Sequence, residues 1–146
     1  MFRGRFVHTL DSKGRVSIPS GFRLELQRRS DRAPILTNAD QCLLLYPYED
    51  WCQFEQRIVG LSSFDPDVQA FARMMISGAS ESPIDAQGRI LVPTVLREHA
   101  RLEREAMIAG VGPRIELWDK SRFDADILKT QARYLEISSA MAKLGT

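Results

Sequence analysis

An α+β fold built from two tandem, pseudo-symmetric β-β-α-β-β units is what this 146-residue sequence predicts. Three observations point there. Asp11–Arg23, D-S-K-G-R-V-S-I-P-S-G-F-R, returns 74 residues later as Asp85–Arg97, D-A-Q-G-R-I-L-V-P-T-V-L-R. Five positions are identical and four are conservative pairs: Val16/Ile90, Ile18/Val92, Ser20/Thr94 and Phe22/Leu96. A second block agrees in the same order, Leu43–Tyr46 followed by Trp51 matching Ile115–Trp118 followed by Phe123 at an offset of 72. Finally, the repeat is longer than solenoid periods and occurs only twice, which favours a closed pair over an open array. A unit of roughly 45 residues buries too little apolar surface to stand alone. The two are therefore expected to close a shared β-barrel or sandwich with flanking helices, related by an approximate two-fold axis.

The elements follow in order. Phe6, Val7 and Thr9 make Arg5–Leu10 β-leaning, and Asp11-Ser12-Lys13-Gly14 is a turn in which Gly14 is free to take positive φ. Arg15–Ile18 alternates polar and apolar as a half-buried strand does, so the two segments read as a hairpin. Pro19 ends the strand and opens a short helix over Ser20–Arg28 with Phe22 and Leu26 on one face. Pro34–Thr37 and Cys42–Tyr46 are strands around Asn38–Gln41, and Pro47 opens a helix carrying Trp51, Phe54 and Ile58. Asp65 caps a connecting helix that starts at Pro66.

The second unit copies the first. Strands are expected over Ala79–Ile84 and Arg89–Val92 around Asp85–Gly88, then a helix from Pro93 to Arg101. Further strands cover Ala106–Ala109 and Arg114–Trp118. One long C-terminal helix is expected after Asp119–Ser121 and on to Lys143, its apolar face Phe123, Ile127, Tyr134 and Met141 widened by Leu128 and Leu135. The division is a first unit over 1–61, a connecting helix over 62–78 and a second unit over 79–146.

Net charge is only +1, but residues 1–29 hold seven Lys/Arg against two acids, whereas the rest hold 13 against 17. Positive charge concentrated at the first repeat points to an anionic partner, or to a solvated basic face. Met1–Arg5 contains no apolar stretch of signal-peptide length and no run is long enough to cross a membrane, so a cytoplasmic protein without membrane association is expected. Cys42 and Cys52 read as reduced thiols, and with His8 and His99 the only histidines no ligand set has structural-zinc spacing. Tyr46, Trp51, Trp118 and Phe123 sit at matched repeat positions; they read as core, although aromatic residues can also stack on bases.

The repeated Asp-x-x-x-Arg is the chemical signal. An Asp that opens a turn accepts backbone N–H groups within it and can pair with the Arg four residues on. A guanidinium held in this way suits phosphate oxygens or a guanine edge. A plain surface turn with a weak ion pair is the bland alternative. A hydrolase using Asp11 and Asp85 as a proton-sharing pair is a third reading. It is disfavoured because each Asp has an Arg four residues on and because nucleophile elbows and phosphate-binding Gly-rich loops are absent. No catalytic residue, metal ligand, cofactor or small-molecule substrate is assigned.

Several of these residues carry a resemblance. The opening Met1-Phe2-Arg3-Gly4, His8–Arg15, Leu45-Tyr46-Pro47 with Trp51, Phe71 with Ser77-Gly78-Ala79, and Asp85–Pro93 look like the MraZ family across nearly the whole chain. MraZ proteins are bacterial transcriptional regulators associated with the division and cell-wall gene cluster, in the SpoVT–AbrB superfamily of swapped-hairpin barrels. The resemblance implies one such AbrB-like barrel within a single chain. It further implies sequence-specific binding of double-stranded DNA at promoter direct repeats, a homo-oligomeric ring of octamer or dodecamer class, and a cytoplasmic, nucleoid-associated location. The family motif falls on Asp11/Arg15 and Asp85/Arg89. With the basic N-terminal segment this makes Arg3, Arg5, His8, Asp11, Lys13, Gly14, Arg15, Asp85, Gln87, Gly88 and Arg89 the candidate DNA-binding residues. Arg5 is a departure, since family members often carry an acidic residue there. A protein-interaction module related to antitoxins, acting through the C-terminal helix, is the runner-up reading.

Overall fold

A computed structural model describes residues 1–146. The strands are β1 (Phe2–Thr9), β2 (Arg15–Ser17), β3 (Ile35–Asn38), β4 (Leu43–Tyr46), β5 (Ser80–Glu81), β6 (Arg89–Leu91), β7 (Glu105–Gly112) and β8 (Arg114–Asp119). The helices are α1 (Ser20–Arg29), α2 (Tyr48–Val59), α3 (Pro66–Ser77), α4 (Thr94–Ala100), α5 (Lys120–Ala132) and α6 (Tyr134–Lys143). Pro19, Pro47 and Pro93 each immediately precede a helix, and the Asp65 side chain accepts the Asp67 N–H at 2.9 Å to cap α3.

Six strands form one antiparallel sheet in the order β1-β7-β8-β4-β3-β5, and β2 pairs with β6 in a separate two-stranded ribbon. Exchanging each strand with its repeat equivalent reverses the sheet order and leaves it otherwise unchanged. Two pairings place the axis. Val16 faces Ile90 in the ribbon, and Leu44 faces Glu116 in the sheet, and in each case the two residues are repeat equivalents. The two units therefore interleave and form a single body.

Side-chain alternation in the central strands explains the layering. Leu36, Leu43, Leu45, Ile108, Ile115 and Leu117 point to one face, where they pack with the ribbon residues Val16, Ile18, Ile90 and Val92 and with Phe22 and Leu26 of α1 and Leu96 of α4. The intervening Ile35, Leu44, Tyr46, Met107 and Trp118 face α2, α3 and α5 and meet Trp51, Ile58, Met75 and Phe123. Burial on both faces is why β3 and β4 read as almost continuous apolar runs. The four matched aromatic residues, Tyr46, Trp51, Trp118 and Phe123, lie in this second core. Trp118 and Phe123 meet edge-on at 5.7 Å, and Tyr46 and Trp51 lie 5.8 Å apart. They are core residues, closed off from any base.

Three expectations are corrected. β1 and β2 do not form a hairpin ladder: β1 pairs with β7 along its whole length and β2 with β6. The turn between them is closed locally, but each strand finds its partner in the other repeat; β2 buries Val16 there, while β1, at the sheet edge, buries only Phe2. The sheet is also open, with β1 and β5 as edges. β5 is only two residues long, and Pro83, just beyond it, has no N–H with which to extend a ladder. The C-terminal helix is broken. Arg133, at φ −113° and ψ 17°, separates α5 from α6, and its N–H bonds to the Thr130 carbonyl at 3.1 Å. Phe123 and Ile127 on α5 pack inward, whereas α6 buries nothing and exposes Tyr134, Leu135 and Met141.

Candidate nucleic-acid interface

The ribbon has an inner and an outer face. Val16 and Ile90 point inward and are fully buried, so Arg15, Ser17, Arg89 and Leu91 point out. Arg15 sits opposite Leu91 and Ser17 opposite Arg89, with a repeated turn leading into the ribbon at each end. The two arginines are therefore diagonal neighbours on one face, their Cα atoms about 7–8 Å apart.

Both turns are built alike. Asp11 Oδ1 accepts the Lys13 N–H at 3.0 Å and the Arg15 N–H at 2.9 Å, while Oδ2 accepts Arg15 Nε–H at 2.6 Å. Asp85 Oδ1 accepts the Gln87 and Arg89 N–H groups, both at 2.9 Å, and Oδ2 accepts Arg89 Nε–H at 3.0 Å. The backbone closes each loop through Asp11 N–H to Arg15 O at 2.9 Å and Asp85 N–H to Arg89 O at 2.8 Å. Gly14 at φ +86° and Gly88 at φ +79° occupy the left-handed region, where a side chain is disfavoured. Arg89 Nη1 also reaches Asp11 Oδ2 at 3.8 Å, joining the two turns across the axis.

The electrostatics match this geometry. The backbone N–H of Arg15 is the main influence holding the Asp11 carboxyl down to about 2, and the Arg89 N–H lowers Asp85 likewise. Both carboxylates stay ionised, the opposite of a proton-sharing acid pair. No group of three or more His, Cys, Asp or Glu is placed to hold a metal ion. The arrangement presents two guanidinium groups whose Nε–H is committed to a carboxylate; Arg15 keeps its Nη groups for an incoming acceptor, while Arg89 also donates from Nη2 to Gln87 Oε1 at 3.4 Å.

The candidate residues are only partly gathered. Asp11, Lys13, Gly14, Arg15, Asp85, Gln87, Gly88 and Arg89 converge on the ribbon and its turns. His8 joins them, donating from Nδ1 to the Ser17 carbonyl at 2.7 Å, which ties β1 to β2 and leaves Nε2 uncommitted. Arg5 does not: its guanidinium lies 5.3 Å from the Phe123 ring centre, on the α5 side of the sheet. Arg3 shares the Arg5 face of β1 by alternation. The basic excess of residues 1–29 is also partly spent elsewhere. Arg28 and Arg29 pair with Glu25, and Arg29 also reaches Asp50. Those bonds and the N-terminal amine hold Glu25 at about 2.

Sequence reading passed over Arg23 and Arg97, whose side chains lie against the two turns. The signal was present, because the closing Arg is one of the five identical positions of the repeat.

The family model described as "MraZ protein, putative antitoxin-like" matches residues 1–74 and again 75–143, the same doubling seen in the fold. This chain belongs to the MraZ family. Among its relatives, the "Transcriptional regulator MraZ" of Alkaliphilus oremlandii (strain OhILAs) is 44% identical over 146 residues, covering 99% of each chain. That of Syntrophobacter fumaroxidans (strain DSM 10017 / MPOB) is 42% identical over 144 residues, covering 99% of this chain and 96% of its own. That of Desulforamulus reducens is 38% identical over 144 residues, with 99% of both chains covered. MraZ membership thus rests on nearly the whole length, including both Asp-x-x-x-Arg turns. No helix is long and apolar enough to cross a membrane.

Proposed function

We propose that this chain is a sequence-specific, DNA-binding transcriptional regulator of the division and cell-wall gene cluster. One observation carries the reading: two carboxylate-anchored arginines stand side by side on the outer face of a ribbon whose inner face is core. A two-stranded ribbon fits the major groove of B-DNA, and guanidinium groups held by their own turns can address phosphates or guanine edges. Arg15, Arg89, Lys13, Gln87 and His8 are the contacting side chains in this reading. Asp11, Asp85, Gly14 and Gly88 shape the turns, while Arg3 and Arg5 act by charge from the side. The units over 1–61 and 79–146, joined by 62–78, supply one turn each.

Direct repeats in a promoter call for several heads facing the same way, which a rotational ring supplies and a two-fold dimer does not. The family resemblance points to an octamer- or dodecamer-class ring acting at the nucleoid in the cytoplasm. The exposed apolar side of α6, with Tyr134, Leu135 and Met141, supports self-association. Electrophoretic shift and footprinting on the region upstream of the chain's own gene test the DNA reading. Protection of direct repeats that weakens steeply with salt is expected. Light scattering tests the ring, with a mass well above a dimer expected. A stable monomer, or no protected repeats, overturns the proposal.

A further inference from the structure

We propose that Arg23 and Arg97 are positioning residues, each holding the turn of the opposite repeat in its glycine conformation. The DNA consequence rests on the reading that these turns face DNA; the clamp itself does not.

The contacts cross the axis. The Ile18 N–H bonds to the Gly88 carbonyl and the Val92 N–H to the Gly14 carbonyl, both at 2.9 Å. Each bond brings the start of a helix, α1 or α4, against the turn of the other repeat. The arginine in the first turn of that helix then lies on bare glycine. A Cβ added to Gly14 would stand 2.6 Å from Arg97 Nε. One added to Gly88 would stand 2.6 Å from Arg23 Cζ and closer still to its Nη1. Glycine is thus required twice over at each turn, by its positive φ and by the guanidinium filling the space a side chain would take. This explains together why Gly and the closing Arg are both identical in the two copies.

Neither arginine forms an ion pair, so charge pairing does not account for its place. Arg97 is held by its own repeat, with Nε donating to the Val92 carbonyl at 3.2 Å and Nη2 to Thr94 Oγ1 at 3.1 Å. The matching Nε of Arg23 is buried without a partner. Arg23 instead lines a groove with His8, Ser17 and Gln87, beside the second turn. A guanidinium is a broad planar group that can fill this space, whereas a lysine ammonium is a compact point charge on a flexible stem.

The test is amide hydrogen exchange on the full-length protein without DNA, followed by binding to a duplex from upstream of its own gene. Arg23→Ala is expected to speed exchange in 86–89 about tenfold while sparing 12–15, and Arg97→Ala to do the reverse. Arg23→Lys should loosen 86–89 almost as much, because it keeps the charge but not the plane. DNA affinity should fall several-fold in all three, with the slope against salt unchanged. A slope lower by about one in Arg23→Ala with exchange unaltered, and restored in Arg23→Lys, would mean a direct phosphate contact and overturn the clamp. Loosening of the same repeat's turn, or of neither, would also overturn it. If Arg23→Ala fails to fold, Arg23→Met, which keeps the apolar stem and removes the guanidinium, replaces it, with loosening of 86–89 and not 12–15 expected and the opposite pattern fatal. If the wild type binds no DNA yet the crosswise exchange pattern holds, the clamp stands and the DNA reading falls.

Discussion

The two ends of the ribbon share a backbone and differ in what they display. At one end Arg15 stands opposite Leu91, with Lys13 in the turn; at the other Arg89 stands opposite Ser17, with Gln87 in the turn. Arg15 is paired to one carboxylate, whereas Arg89 reaches both Asp85 and Asp11. His8 is bonded to the Ser17 carbonyl, while its repeat equivalent, Ser82, is buried with no partner for its hydroxyl. The comparison teaches that the axis is enforced where backbone and core meet and relaxed where side chains face out. Symmetry also fades with distance from the axis, from the matched three-residue β2 and β6 to the eight residues of β1 against the two of β5. Under the proposed DNA-binding function, unlike ends would let the ribbon distinguish the two directions along a duplex.

Removing both arginines erases the comparison and has the largest expected effect. Arg15→Ala with Arg89→Ala should cost about 1–3 kcal/mol of DNA binding for each arginine removed. Of the single variants, Arg15→Ala should weaken binding at least as much as Arg89→Ala, because Lys13 makes its end the more basic. Titrations by electrophoretic shift, with circular dichroism to show an intact fold, decide this; unchanged affinity in the double variant would sink the assignment.

Stability probes the shared backbone. Gly14→Val and Gly88→Val should each destabilise the protein by about 1–3 kcal/mol, because a branched side chain is forced to positive φ. For a chain of this size that lowers the melting temperature by roughly 3–10 °C. Gly88→Val should be the worse of the two, since the Arg23 guanidinium sits closer to its absent Cβ than Arg97 does to that of Gly14. Equal and negligible shifts in thermal denaturation would contradict both the strain and the packing.

A charge exchange sharpens the difference between ends. Lys13→Gln makes the first turn resemble the second and should reduce the salt dependence of binding by about one counterion; Gln87→Lys should raise it by about one. Affinity should move only a few-fold each way. Two variants with the wild-type slope would place position 13 and position 87 away from phosphate.

Acid has the smallest effect, none of it at neutral pH. The folded carboxyl of Asp11 is lowered to about 2, below its ordinary 3.8. Its contribution to stability is therefore complete above about pH 4 and lost as pH falls through about 2. A carbon-13 titration of the Asp11 carboxyl, with Asp11→Asn as control, measures this, and a midpoint at or above 4 would contradict the backbone-anchored turn.

Local chemistry was the legible part of the chain. Asp, Gly and Arg at fixed spacing specify a closed turn through bonds within five residues, and the structure contains that turn twice. Proline placement and the Asp65 cap were legible for the same reason. Partner choice was not: nothing between Arg5 and Ile18 reveals that β1 will pair with Glu105–Gly112 and β2 with Arg89–Leu91. That information lies in the packing of both repeats together. The break at Arg133 was hidden because no Pro or Gly marks it and because the apolar spacing continues across it. The roles of Arg23 and Arg97 were half legible, their identity visible and the crossed contact not.

The interleaving has a kinetic side. The only ladder partner of β1 is β7, made more than ninety residues later. β2 must likewise wait for β6, and β4 for β8. Contacts so distant along the chain are slow to close, because loop entropy is lost before any of them forms. The nascent N-terminal half is therefore expected to carry unpaired strand edges through much of synthesis, a state open to pairing with a neighbouring chain. Neither half should fold when expressed alone, and a mixture of the two halves should regain structure only on meeting.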